Sequence, residues 1–145
     1  MSADPFAEAL RAAGVRRTEA REAVLRVLQG RGEPLTHADL STDPQVAGMD
    51  PVTLYRTLAT LEGAGLVHRV QGIDGAWRYC PHRAEDGDCP GNHAHFLCTA
   101  CGSMTCLVDQ PMPHVQVPDG AVVAARHLVA WGLCPRCAAS GGAPP

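Results

Sequence analysis

Two cysteine pairs, Cys98-x-x-Cys101 and Cys134-x-x-Cys137, constrain the fold of this chain more than any other feature. Each pair can set two thiolates on one knuckle, and two knuckles complete a tetrahedral shell suited to structural zinc. Thirty-two residues separate Cys101 from Cys134. That exceeds the usual zinc-ribbon spacing, so the pairs must meet across a folded sheet. Free thiols or a single redox pair are the rival readings, and neither accounts for two pairs at this spacing. A closed four-cysteine shell leaves no open position on the metal and does no catalysis. No apolar segment follows a charged N-terminus, and no run of about 18 apolar residues exists. The chain is therefore read as cytoplasmic, without membrane contact, in a compartment where paired cysteines favour metal over disulfide.

All seven cysteines fall from residue 80 onward, as do five of the seven histidines. Before that point the apolar spacing is mostly helical. Pro5–Ala13 reads as a helix ended by Gly14, and Thr18 caps a second running to about Leu28. Thr36 caps a short third helix, His37–Leu40, and Asp50 followed by Pro51 opens a fourth that reaches Gly63. Leu66–Gln71 and Ala76–Cys80 alternate like strands, with Asp74-Gly75 as the turn. Short helices closed by such a hairpin make a winged helix. Further strands are expected at Ala94–Thr99, Met104–Asp109 and Ala121–Leu133, while Pro111, Pro113 and Pro118 exclude a long helix between the last two. The expected class is α+β. Residues 1–80 form a winged helix-turn-helix DNA-binding domain and 81–92 a hinge loop. Residues 93–137 form a metal-binding α/β domain with a small antiparallel sheet, and 138–145 a disordered tail.

A second set of donors is His68, Cys80, His93, His95 and Cys106. His68 and Cys80 fall on the two hairpin strands, and His93 and His95 share a face because strand side chains alternate. These residues can converge where the domains meet as a regulatory metal site; otherwise the histidines line a partly exposed strand and the cysteines are small core residues. Nitrogen and sulfur donors with few carboxylates prefer zinc over manganese or magnesium, and argue less firmly against iron. Cys89 can join such a site or stay free. His127 lies in an apolar phase and reads as a core residue, and His37, His82 and His114 default to solvent.

Net charge is −3 and every basic residue is arginine. Residues 1–80 carry nine arginines against ten carboxylates, so DNA binding must rest on a few placed side chains. Burying Leu54, Leu58 and Leu61 is expected to turn Thr53, Arg56, Thr57 and Thr60 outward, with Tyr55 at the edge of that face. Arginine reads guanine edges bidentately and hydroxyls contact phosphates or bases. Arg16, Arg17 and Arg21 straddle the start of the second helix and can clamp phosphates. The bland alternative is an ordinary solvated helix face.

Residues 6–137 resemble the ferric uptake regulator family of bacterial metal-dependent repressors. The resemblance rests on Arg17-Thr18-x-x-Arg21, on Val52-Thr53-Leu54-Tyr55-Arg56-Thr57-Leu58, on His93-x-His95-Phe96-Leu97-Cys98-x-x-Cys101-Gly102, and on Gly132-Leu133-Cys134-x-x-Cys137. It implies a homodimer built through residues 93–137 whose metal-loaded form binds a palindromic operator in double-stranded DNA and represses. It also implies that Tyr55 and Arg56 touch DNA and that the four paired cysteines hold structural zinc. Within the family the chain is most similar to the zinc uptake regulators, since iron and peroxide sensors usually place carboxylates where this chain has Cys80 and Cys106. Two departures stand out. Gln110–Gly120 is too short and proline-rich for the helix that usually joins the second and third strands of the dimerisation domain. Asn92 and Ala94 stand where relatives often carry histidine, which implies one sensing site per chain.

The expectation is thus a zinc-responsive repressor of zinc uptake and homeostasis genes, with Zn2+ in structural and regulatory sites and no small-molecule substrate. The alternatives are a family member sensing iron or manganese, or a zinc-ribbon adaptor without a regulatory role. An enzyme is not expected. A zinc deaminase needs His-x-Glu ahead of Pro-Cys-x-x-Cys, but His93-Ala94-His95 lacks the glutamate and leucine precedes Cys134.

Overall fold

The computed structural model describes residues 3–81, 93–110, 113–124 and 126–142. Cys89, His82 and nearly all of the expected hinge lie outside these residues, as do Met112 and Ala125. Each N-terminal helix begins where a side chain accepts an otherwise unpaired amide. Asp4 caps α1 (Pro5–Ala12) and Thr18 caps α2 (Glu19–Arg31). Thr36 and Asp39 form a reciprocal capping box on α3 (His37–Thr42). Asp50 caps α4 (Pro51–Gly63), with Pro51 pre-set in the first turn. The helix α2 ends at Gly32, which takes the left-handed conformation at φ 66°.

Leu25 and Leu28 of α2 meet Leu54, Leu58 and Leu61 of α4, and Leu10, Leu40 and Val67 close the cluster. Each fully buried leucine contributes about 1.5–3 kcal/mol by leaving water. A short strand β1 (Leu35–Thr36) adds to the hairpin of β2 (Val67–Gln71) and β3 (Trp77–Pro81), so the wing has three strands in the order β1-β3-β2. The hairpin expected from Asp74-Gly75 is present, with Gly75 at φ 82° in the connecting turn.

The second sheet runs β5-β4-β6, with β4 (Ala94–Cys98) between β5 (Met104–Leu107) and β6 (Leu128–Gly132). The β4–β5 pair is antiparallel as expected, but β4 and β6 run parallel, so this sheet is mixed. The reason is that β5 has already returned the chain to the end where β4 starts, Leu107 lying opposite Ala94, and β6 also starts there, Leu128 lying opposite Ala94 from the other side. The strand expected over Ala121–Leu133 is confined to its second half. None of the described residues between β5 and β6 is helical, in keeping with the prolines there. A short helix α5 (Pro135–Ala139) follows Cys134 and takes in the first residues of the segment expected to be a disordered tail. Among the described residues, no helix is long and apolar enough to cross a membrane.

The wing packs against the second sheet. Val70 of β2 is buried with Leu97 and Met104, and Val129 lies against them. Beside this cluster the buried Arg78 of β3 forks onto Asp74 at 3.1 and 2.9 Å and donates to the Gly102 carbonyl at 3.1 Å. Gly72 allows the close approach: a Cβ there would fall 2.9 Å from Leu97 Cδ2 and 2.6 Å from Arg78 Nη1.

Candidate metal centres and nucleic-acid interface

The parallel pairing of β4 and β6 explains how the distant cysteine pairs meet. Cys98, the last residue of β4, is in register with Gly132, the last residue of β6. Parallel strands finish at the same edge, so both knuckles emerge side by side. Antiparallel strands of five residues would have placed them about 17 Å apart at roughly 3.3 Å per residue. The Thr99 amide and hydroxyl both donate to the Gly132 carbonyl, at 2.8 and 3.1 Å, and tie the first knuckle to the end of β6. Gly102, at φ 77°, lets the first knuckle turn back so that its amide reaches the Cys98 carbonyl. Cys134 holds the N-cap position of α5, with no side-chain cap hydrogen bond, and Cys137 sits one turn into it. That short helix is what the sequence reading missed; the Pro135 that follows Cys134 was its signal.

The sulfurs of Cys98, Cys101, Cys134 and Cys137 all lie within 4.8 Å of one another. Backbone amides of Cys101 and Cys134 aim at Cys98 and pull its thiol down to about 6. The Ser103 hydroxyl lowers Cys101 as well. Cys137 is pushed up to about 12, chiefly because it hydrogen-bonds to Cys134 among neighbouring sulfurs. Four cysteine sulfurs gathered this closely are a donor set for a tetrahedral zinc, and the fit is good.

The second set also converges. His68 and Cys80 are partners across the wing hairpin, and His93 and His95 stand at the start of β4. One donor atom from each of the four lies within 4.8 Å of the others. The His93 and His95 ring centroids are 4.4 Å apart, and the His68 ring is 5.8 and 5.9 Å from them. Cys80, His93 and His95 are buried. The His95 Nε2 is buried without a hydrogen-bond partner, a costly state for a ring nitrogen that a metal ion would relieve. Three imidazoles and one thiolate from two different sheets form this group. Cys106 does not belong to the four, but its Sγ is 3.1 Å from that of Cys80, and it faces His95 in register across β4–β5. His114 and His127 are exposed, so the apolar phase that suggested a core role for His127 does not bury it in this chain.

On α4, Tyr55 and Arg56 are exposed, with Tyr55 58% accessible. The Thr53 amide and hydroxyl both go to Asp50, holding that carboxyl below its ordinary range, mainly through the hydroxyl. Thr57 corrects the expectation that it faces outward: it is 6% exposed. It lies three residues after Leu54 and four before Leu61, on the same face as both. His37, expected in solvent, is half-buried and stacks on Tyr55 with centroids 4.0 Å apart. Arg17 pairs with the buried Glu22, and Arg21 donates to the Arg16 carbonyl. Both arginines thus stand at the start of α2 with their side chains already directed.

The ferric uptake regulator family is matched over residues 12–118. The transcriptional regulator FurA of Mycobacterium tuberculosis is 32% identical over 97% of this chain and 95% of its own length. Among solved structures, the ferric uptake regulator of Vibrio cholerae superposes with a TM-score of 0.63 at 21% identity, covering 88% of this chain and 98% of the other. A zinc uptake regulator complexed with zinc and DNA gives the same TM-score at 23% identity, over 92% and 91%.

Proposed function

The chain belongs to the ferric uptake regulator family, and from that premise we propose that it is a zinc-responsive repressor acting in the cytoplasm. It is a metal-responsive transcriptional regulator and not an enzyme; what is proposed is the metal, the operator and the residues. One observation carries the choice of zinc: the four donors gathered between wing and sheet are imidazoles and a thiolate, with no carboxylate in the group. The four paired cysteines hold a structural zinc, and His68, Cys80, His93 and His95 hold the sensing one.

When bound, zinc supplies a cross-link between groups that are otherwise separate. His68 and Cys80 belong to the wing, and His93 and His95 to the sheet of the dimerisation domain. Holding the four together fixes the angle at which each α4 of a homodimer is presented. A dimer reads two half-sites at a set spacing, so a palindromic operator recognises only that angle. Arg56 reads base edges from the exposed face of α4, with Tyr55 and Thr53 beside it, and Arg17 and Arg21 contact phosphates. Repression of zinc uptake and homeostasis genes follows.

A titration of operator binding against free zinc and free manganese tests this reading. Zinc should drive binding at concentrations where manganese fails. Cys80→Ala should keep its structural zinc and its fold yet lose zinc-dependent binding; an unchanged midpoint in that variant would remove these four residues as the sensor. The rival is an iron sensor, favoured by the identity to FurA and by the three imidazoles, and it predicts a response to ferrous iron instead. A zinc-ribbon adaptor would show no metal-dependent affinity for DNA.

A further inference from the structure

Cys106 is left over when the four donors are grouped, and its position gives it a different chemistry. Its sulfur sits 3.1 Å from the sulfur of Cys80. Two thiolates on one tetrahedral zinc are held about 3.8 Å apart by Zn–S bonds of roughly 2.3 Å. The contact between Cys80 and Cys106 is closer than that, and about 1 Å longer than an S–S bond of roughly 2.05 Å. The two residues come from different sheets, β3 of the wing and β5 of the second sheet. They also differ in access: Cys80 is 1% exposed, whereas Cys106 is half-buried and open to a small solute. A reachable thiol backed by a shielded one is the arrangement of an attacked and a resolving cysteine.

We propose that Cys80 and Cys106 form a reversible disulfide under hydrogen peroxide, which withdraws the only sulfur of the proposed sensing group and releases the operator. The Cys106 thiolate attacks one peroxide oxygen, the O–O bond breaks, and the departing oxygen leaves as water once protonated. Cys106 is then a sulfenic acid. The Cys80 sulfur attacks it, the S–S bond forms, the S–O bond breaks, and a second water departs. Two thiols and one peroxide give one disulfide and two waters, with both electrons supplied by the sulfurs. What remains of the group is three imidazoles, a weaker and less selective set for zinc. The knuckle cysteines lie at the far end of β4 from His95 and are outside this pair.

The inference rests on the zinc-sensor reading, and the test separates the two. Zinc-loaded full-length protein is treated with one equivalent of hydrogen peroxide per chain. Released zinc is followed with a chromogenic chelator, disulfides are mapped by peptide mass spectrometry, and operator binding is measured before and after dithiothreitol and fresh zinc. Oxidation should link the Cys80 and Cys106 peptides with loss of two hydrogens, free one zinc equivalent per chain, and weaken operator binding at least tenfold. Reduction should reverse all three. Cys106→Ser should keep both zincs and bind operator like the parent, yet resist the same dose of peroxide.

A first disulfide within the four knuckle cysteines overturns the proposal. So does a Cys106→Ser protein that has lost its second zinc, since Cys106 would then be a ligand. An oxidised, linked protein that still binds operator overturns the link to derepression. If the untreated parent shows no zinc-dependent binding, the sensor reading fails, while the disulfide map still decides the chemistry of the pair.

Discussion

Replacing Arg78 with methionine removes a guanidinium that joins the wing to the turn after the first cysteine knuckle while keeping most of the side-chain volume. Arg78 is 3% exposed and gives two bonds to Asp74, at 3.1 and 2.9 Å, and one to the Gly102 carbonyl at 3.1 Å. The Asp74 side chain is 43% exposed, so solvent screens that pair and its loss costs only about 1 kcal/mol. The Gly102 bond is part-buried; breaking it and leaving the carbonyl without its donor costs at most about 1–3 kcal/mol. The total is at most about 2–4 kcal/mol, partly offset by the apolar methionine. At roughly 2–4 °C per kcal/mol for a chain of this size, melting should fall by on the order of 10 °C. Thermal unfolding in excess zinc reads the loss, and Asp74→Ala beside the double variant separates the Asp74 bonds from the Gly102 bond. Operator affinity should fall as well, because the wing loses a contact that orients it. An Arg78→Met protein that melts with the parent and binds operator equally well would refute the idea that this guanidinium holds the wing in place.

Cys101→Ser should lose structural zinc and folding together, because binding free energies of about 10–16 kcal/mol are coupled to folding in such sites; full zinc content by metal analysis would contradict the assignment. Arg56→Ala should weaken operator binding by about 1–3 kcal/mol and relax base preference at one position of each half-site, read by competition among operator variants. Arg17→Ala should weaken all DNA sequences alike and lower the slope of log affinity against log salt by about one; an unchanged slope would place Arg17 away from the phosphates. The Arg78 hydrogen bonds hold Asp74 below its usual carboxylate range, so the stability it adds is present above the unfolded carboxylate pKa and disappears as pH falls through the lowered folded one. Acid unfolding of Asp74→Ala should therefore flatten relative to the parent below about pH 4, and parallel acid curves would rule that out.

The N-terminal elements were legible because their signals are local. Asp50-Pro51 and Thr18 mark helix starts through the amides they cap, and Asp74-Gly75 marks a turn through one residue's backbone freedom. The eight metal-cluster residues were legible for another reason: cysteine and histidine at knuckle or alternating spacing have few other uses. What escaped depends on helix-face geometry at one position and otherwise on contacts between segments distant in sequence. Thr57 looks polar and outward by type, but helical geometry sets it among Leu54, Leu58 and Leu61. The parallel direction of β6 follows from the path of a proline-rich crossover whose local sequence prefers neither direction. The burial of Arg78 joins residues 24 positions apart, and no window of sequence contains both. Residue type groups Cys106 with the other donors, and its 3.1 Å approach to the Cys80 sulfur joins two sheets that no window of sequence brings together.

On the proposed reading, two kinds of link would join the wing to the second sheet, and their balance would set how far metal can control it. One is made of protein alone: Val70 against Leu97 and Met104, and Arg78 on Gly102. The other would be a metal ion held by the group of His68, Cys80, His93 and His95. Moving a two-state equilibrium from 1:99 to 99:1 takes a preference of about 5.5 kcal/mol. If the protein link alone supplied that much, the wing would be held at all times and the donors would have nothing to switch. If it supplied nothing, ordering the wing would consume most of the affinity of the site for its metal. The single Arg78–Gly102 bond, worth about 1–3 kcal/mol, and the apolar cluster of Val70, Leu97 and Met104 make up the protein link. Weakening it should move the zinc dependence. Shortening Val70 to alanine removes apolar contact with Leu97 and should raise the zinc concentration needed for operator binding. The volume-conserving Leu97→Met, which keeps the apolar contact, should leave it near the parent value. Zinc titrations of operator binding by both variants measure this, and a Val70→Ala midpoint equal to the parent's would show that the wing is not balanced between the two links.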